Sequence, residues 1–305
     1  MKKPIINIEQ SIHQKLLNQA KSTNQTFEHV LKRYAMERFL YRLSVSPHVN
    51  DFILKGGLLL ACYDVPSSRP TLDIDLQSFY PDHHLDRVKM VIHELCQLPV
   101  EPDGLRFDAT SLVCETLNHL DGYDGVGVHL FCYLGRADIA VKIDIGFSGG
   151  LRPAPVLVDY PTLLSMPRPR LRAYRQESVI AEKFEAMLKH DLATSRMKDF
   201  YDIWMLSSIF EYESVELMMA IMQTFKHCKR EIGVKPSVFQ EAFASDPRLT
   251  KKWQVFLQKN NLTDAPREFS AVMEHIGKFL QPIVENLAKK ASIKAHWIPP
   301  GPWKV

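Results

Sequence analysis

Apolar residues recur every three or four positions along the first part of the chain. Between residues 8 and 43, Phe27, Val30, Leu31, Tyr34, Phe39, Leu40 and Leu43 form such a stripe, which predicts helices. Arg33, Glu37 and Arg42 lie between the stripe positions, as on a surface helix with one face turned inward. From about residue 50 the period shortens. Residues 52–54, 72–76, 128–134 and 139–145 are short β-rich runs bounded by Gly, Pro, Asp and Ser, and they read as strands. Between them, residues 85–98 read as a helix that buries Leu85, Val88, Val91, Ile92 and Leu95. Residues 121–125, Asp-Gly-Tyr-Asp-Gly, predict a turn and lack the ligand spacing of a calcium loop. Strands that alternate with helices and then follow one another predict a mixed α/β sheet, not an all-β barrel.

Pro161, Pro167 and Pro169 mark a boundary, after which residues 178–190, 197–210, 215–225 and 269–288 again carry the helical period. Pro299, Pro300 and Pro302 predict an irregular end. The expected organisation is an N-terminal helical segment (1–48), an α/β core (49–160) and a C-terminal helical domain (161–305) that completes the active site. A length of 305 residues suits this, and there is no internal repeat or low-complexity tract.

Composition changes the picture little. Apolar residues make up 46% and charged residues 24%, as in an ordinary globular protein, and the net charge of +3 does not announce a nucleic-acid binder. Residues 167–175, however, carry Arg168, Arg170, Arg172 and Arg175, a run that can meet RNA or phosphate or can simply be a solvated connection. The five cysteines at 62, 96, 114, 132 and 228 form no Cys-x-x-Cys pair, which speaks against a zinc cluster or disulfide framework and fits a reducing cytoplasm. No apolar signal core opens the chain, and no run reaches the ~18 apolar residues that span a bilayer.

The candidate chemistry lies in the strands. In residues 72–76, Leu72, Ile74 and Leu76 are expected to enter the core while Asp73 and Asp75 share the other face, roughly 7 Å apart at a rise of about 3.3 Å per residue. Asp144, between Ile143 and Ile145, would join them from a neighbouring strand. Three such acids repel one another without a cation, and oxygen ligands beside a substrate phosphate suit Mg2+ or Mn2+. A pair of such ions can activate a hydroxyl and stabilise a leaving pyrophosphate. Gly56 and Gly57, at the end of the preceding strand, can bring backbone N–H groups against a triphosphate, helped by a helix that follows. The P-loop ending Gly-Lys-Ser/Thr is missing. Glu182, Lys183, Glu185, Asp199 and Asp202 form a second charged group; by itself this reads as an ordinary surface with pairs such as Lys198–Asp202.

Leu54-Lys-Gly-Gly57, Arg69-x-Thr-x-Asp-Ile-Asp-Leu76, Lys142-Ile-Asp-Ile145, Ile180-Ala-Glu-Lys-Phe184 and Arg196-Met-Lys-Asp-Phe-Tyr-Asp202 occur in this order over about 150 residues. Together they resemble the AbiEii/AbiGii family of nucleotidyltransferase toxins, the MenT toxins included. The resemblance implies a DNA polymerase β-like nucleotidyltransferase core with helical additions. It implies that Lys55, Gly56 and Gly57 hold the NTP, that Asp73, Asp75 and Asp144 bind metal, and that Lys183 meets the nucleotide phosphates. Asp199 would orient Lys183 or position the acceptor. It further implies a toxin–antitoxin or abortive-infection role, a cognate antitoxin of winged-helix repressor type, and an RNA acceptor such as the tRNA 3′ end. Many members have Ser or Thr where this chain has Leu58, so one hydroxyl contact to phosphate is lost. Two alternatives stay open: a small-molecule nucleotidyltransferase, and a non-catalytic module that binds nucleotide or partner.

Overall fold

A computed structural model describes residues 7–63, 65, 69–80, 85–118, 124–147, 150–151, 153–233 and 235–305. The chain divides into two units, the first made of residues 1–64, 70–150 and 156–173, the second of 65–69, 151–155 and 174–305.

The first unit opens with helices α1 (Ile8–Ser22) and α2 (Phe27–Ser44). Each is capped by a side-chain oxygen: Asn7 Oδ1 accepts from the Gln10 N–H at 3.0 Å, and Thr26 Oγ1 from the His29 N–H at 3.3 Å. Then come β1 (Phe52–Lys55), the single turn α3 (Gly56–Leu59), β2 (Ile74–Ser78), α4 (Leu85–Gln97) and a run of strands, β3 (Leu105–Asn118), β4 (Asp124–Leu134), β5 (Ala137–Phe147), β6 (Val156–Asp159) and β7 (Arg170–Ala173). These form one seven-stranded mixed sheet in the order β3-β4-β5-β2-β1-β7-β6. β2 runs parallel to β5 and β1 parallel to β7, whereas the other pairings are antiparallel.

Register sorts the side chains into two faces. Leu54 lies beside Leu76 on one side and Ala173 on the other, while Ile74 and Leu76 lie beside Ile143 and Ile145. All of these are buried and form the core face. The opposite face carries Lys55, Asp75 and Asp144 in one row across three strands.

Three expectations need correction here. Leu72 is not in the core but 47% exposed, because β2 begins only at Ile74 and Asp73 stands just ahead of it. The β1–β2 ladder ends at Lys55–Asp75, so residues before Asp75 have no β1 partner. α2 is not a surface helix with a polar outer side: Glu37, Arg38 and Arg42 are buried, since α2 packs against α1, α4, β5 and β7. Each finds a partner inside. Arg42 donates to both carboxylate oxygens of Asp103 at 2.7 and 3.3 Å, Arg38 to Asp103 at 3.4 Å, and Glu37 accepts the Leu163 N–H at 2.7 Å. Finally, the arginine-rich run is not merely a connection, because residues 170–173 are strand β7. The turn expected at 121–125 lies in its first three residues outside the described ones, and Asp124 and Gly125 open β4.

The second unit is helical. α5 (Gln176–His190) and α6 (Met197–Ile209) are followed by β8 (Tyr212–Glu213), α7 (Ser214–His227), α8 (Glu241–Ala244), α9 (Pro247–Lys259), α10 (Phe269–Ala288), β9 (His296–Trp297) and β10 (Trp303–Lys304). Trp253 of α9 packs with Tyr201, Phe256 and Phe269. The end of the chain is irregular only in part: residues 298–302, which carry the prolines, lie outside any element, but β10, β9 and β8 form a small antiparallel sheet that fixes Trp297 and Trp303 against Phe279. All five cysteines are free thiols. Among the described residues, no helix is long and apolar enough to cross a membrane.

Candidate active site

The acidic face of the first unit is built by strand alternation. Asp75 and Asp144 are register partners on adjacent parallel strands, and each points away from the isoleucines and leucines of the core. Asp73 is half-buried immediately before β2. Lys55, the register neighbour of Asp75 on β1, donates to Gln77 Oε1 at 3.3 Å. Lys142, two residues before Asp144 on β5, donates to Asp144 Oδ2 at 2.7 Å. Asp144 Oδ1 is buried and has no hydrogen-bond partner. Burial alone would lower the Lys142 pKa, but the bond to Asp144 and the charges of Asp144, Asp73 and Asp75 outweigh it and raise the value. Lys142 is a residue that sequence reasoning left out of the site, although its motif was in view.

Gly56 explains how Asp75 is seated. Its φ is +69°, the left-handed region where a side chain is disfavoured. A Cβ on Gly56 would stand 1.9 Å from Asp75 Oδ2, 2.5 Å from its Cγ and 2.6 Å from its Cβ. The Asp75 side chain therefore fills the space that the glycine leaves open. The helix expected after the glycines is the four-residue turn α3. A turn this short has only a small macrodipole. Leu58 is buried within that turn.

The donor set suits a hard divalent cation. It consists of carboxylate oxygens, two of the three carboxylates are in register, and one oxygen of Asp144 is buried without a partner. The carboxylates are not drawn together: among the described residues, no three His, Cys, Asp or Glu side chains form a group ready to hold an ion. Asp144 is turned to Lys142, and Asp75 is packed against Gly56.

In the second unit, Lys183 of α5 meets Asp199 at 3.2 Å and Asp202 at 2.5 Å, both on α6. Arg69 donates to both oxygens of Asp202, at 2.9 and 2.8 Å, and Arg196 to Asp199 at 2.6 Å. Asp199 and Asp202 are almost fully buried. Burial would raise the Asp199 pKa, but Lys183 and Arg196 overcome this and hold it below the usual carboxylate value. Three cations face two carboxylates, leaving a formal surplus of one positive charge. The surface reading of this group is thereby overturned: Lys198 is exposed, while Asp202 pairs internally with Arg69 and Lys183. Arg69, Arg196 and Asp202 were missed as site residues, though each stood in a recognised motif. Of the flanking glutamates, Glu182 accepts from Tyr174 at 2.9 Å and Glu185 pairs with Arg230 at 2.8 Å.

The four arginines do not form one group. Arg168 and Arg170 are exposed in the first unit, Arg170 beside Asp159 at 3.9 Å. Arg172 is half-buried, donates to the Asn50 carbonyl at 3.4 Å and lies over Phe79. Arg175 belongs to the second unit, where it meets Glu177 at 3.3 Å and Glu216 at 3.8 Å.

A family model described as the nucleotidyl transferase AbiEii toxin of a type IV toxin–antitoxin system matches residues 38–275. No curated protein matches the sequence. Among solved structures, JHP933 from Helicobacter pylori is similar with a TM-score of 0.51 at 13% identity, over 87% of this chain and 97% of that one. A putative nucleotidyltransferase from H. pylori aligns with a TM-score of 0.47 at 14% identity, over 85% and 96% of the two chains. At 13% identity the likeness to JHP933 is one of fold.

Proposed function

This chain belongs to the AbiEii family and is a nucleotidyltransferase toxin of a type IV toxin–antitoxin system, and from that premise we propose that it transfers a nucleoside monophosphate from an NTP to an acceptor hydroxyl at the 3′ end of a tRNA. The observation that carries this reading is the acidic face, with Asp75 and Asp144 in register, Asp144 Oδ1 buried without a partner, and Gly56 shaped around Asp75.

Asp73, Asp75 and Asp144 would hold Mg2+ or Mn2+. Bound there, the metal supplies positive charge for the triphosphate and acidifies the acceptor hydroxyl. Asp144, at the edge of that group, accepts the proton that the hydroxyl gives up. Gly56, Gly57 and Lys55 receive the triphosphate, through backbone N–H groups and a flexible ammonium. Lys183 takes the role that the resemblance gives it, a point charge for the nucleotide phosphates, and Asp199 orients it through their ion pair. Arg168, Arg170, Arg172 and Arg175 are assigned to the RNA backbone. The family implies a cognate antitoxin, and we assign it to the winged-helix repressor type. The site of action is the cytoplasm.

The test is to incubate the purified chain with Mg2+, each α-labelled NTP in turn and total tRNA, and to resolve the RNA on a denaturing gel. Label on tRNA that is lost in Asp73→Asn and Lys183→Ala supports the reading and names the base. Full transfer by folded Asp73→Asn would defeat the assignment of the acids. No label, from a folded protein that binds NTP, would move the acceptor to a small molecule or the chain to a binding role.

A further inference from the structure

We propose that Lys142 is the resident counter-ion of Asp144, a positioning residue that shares this carboxylate with the incoming divalent cation and is exchanged for it. The inference rests on the metal-dependent reading of the acidic face and adds a residue to it.

Lys142 and Asp144 are two apart on β5 and so lie on one face of the sheet. The ammonium holds Asp144 Oδ2 at 2.7 Å, while Oδ1 stays buried and without a partner. Asp73 and Asp75 add two further carboxylates to this surrounding, and both act electrostatically on Lys142. Lys55 and Lys142 against these three carboxylates leave the group formally one charge negative, so it still attracts a cation, and the share of Asp144 that Lys142 holds is what the cation must take over. The bond to Lys142 turns Asp144 toward its own strand neighbour.

Lysine suits exchange. It is a point charge on a flexible stem, and the Lys142 side chain is 40% exposed, so its ammonium reaches water by rotating the stem. A second carboxylate lies on the far side. Glu115 is in register with Gly127, and Gly127 with Asp144. A Cβ on Gly127 would come within 3.4 Å of Glu115 Oε1, so the Glu115 carboxylate reaches over the glycine on the same face. His129, the register partner of Lys142, holds Glu115 Oε1 at 3.2 Å. Glu115 thus places a further anion on this face, two strands from Asp144.

The test reads metal affinity, not turnover. Mn2+ binding to the full chain is measured by titration calorimetry and by the loss of the free-ion paramagnetic resonance signal. Wild type, Lys142→Met, Lys142→Arg, Asp144→Asn and the Lys142→Met/Asp144→Asn double variant are compared, each shown to be folded by its melting curve. A single and a double charge about 5 Å apart in a water-like dielectric correspond to an effect on the order of tenfold. Lys142→Met is therefore expected to bind Mn2+ roughly tenfold more tightly than wild type, whereas Lys142→Arg keeps the charge and stays close to wild type. In the Asp144→Asn background the gain from Lys142→Met should fall to about twofold or less, because the shared carboxylate is gone. Unchanged or weaker binding by Lys142→Met, with Asp144→Asn clearly impaired, overturns the counter-ion proposal and leaves the metal site standing. Absence of Mn2+ binding in wild type and in Lys142→Met overturns both.

Discussion

Substituting Gly56 by alanine adds one methyl group where two constraints meet. The backbone is left-handed, at φ +69°, and an L-residue there costs about 1–2 kcal/mol. The new Cβ would also fall 1.9 Å from Asp75 Oδ2 and 2.6 Å from Asp75 Cβ. Turning the carboxylate aside relieves the first contact but not the second, since Asp75 Cβ is fixed to a strand paired on both sides. Either β2 or the glycine turn must shift by most of an ångström, and overpacking of that kind costs about 1–3 kcal/mol. The sum, roughly 2–5 kcal/mol, is large but leaves a folded population in a chain of ordinary stability. The effect on function is larger, because a displacement of about 1 Å in a reacting group costs roughly 100-fold in rate. The assay is single-turnover NMP transfer at saturating NTP, beside urea unfolding of the same protein. In an Asp75→Gly background all three contacts vanish, and Gly56→Ala should then cost only the backbone share. Gly277→Ala is the comparator: nothing lies within 4 Å of its added Cβ, and in α10 it should gain about 0.5–1 kcal/mol. A Gly56→Ala protein with wild-type stability and a rate within about threefold of wild type would refute the cradle argument.

Arg69→Met leaves the buried Asp202 with Lys183 alone and should cost about 2–4 kcal/mol in urea unfolding; Arg69→Lys should recover only part, since it cannot bond both oxygens. Burial pushes the Glu37 carboxyl up to about 7 from its usual 4.5, so the folded chain keeps a proton that the unfolded chain has already released. Its contribution to stability is full below about pH 4.5 and is lost as the pH rises through about 7, a change on the order of 3 kcal/mol. Glu37→Gln should therefore unfold at higher urea than wild type at pH 8 but not at pH 4; equal gains at both would reject the assignment. Arg168→Gln with Arg170→Gln should weaken tRNA binding and flatten its logarithmic dependence on salt by about one for each phosphate contact removed; an unchanged slope would remove these residues from the interface.

Much of this architecture follows from local signals, and what escaped them has a common cause. The helical stripes and the alternation in β1, β4 and β5 are set by neighbours in sequence, and they fall where the periodicity puts them. β3 was missed because it is the edge of its sheet: Arg106, Asp108, Thr110 and Glu115 interrupt its apolar positions, and Val113 is 58% exposed. The errors over charge are more instructive. A single-sequence reading sends each ionised side chain to the surface, because burial without a partner costs several kcal/mol. That inference fails when the partner is remote along the chain. Arg42 and Asp103 are 61 residues apart, and Arg69 and Asp202 are 133 apart, so no local pattern could pair them. Only motif order hinted at the second pair, since Arg69 opens one recognised motif and Asp202 closes another. Lys142 is the opposite case. Its partner is two residues away, yet alternation shows only that Lys142 and Asp144 share a face and says nothing about which oxygen the ammonium holds. A charge whose partner is remote is invisible to periodicity, and a charge whose partner is adjacent is visible without its role. The candidate residues of this chain fall into both classes, which is why the carboxylates of the acidic face stand out in the sequence while Arg69 and Lys142, the partners of Asp202 and Asp144, do not.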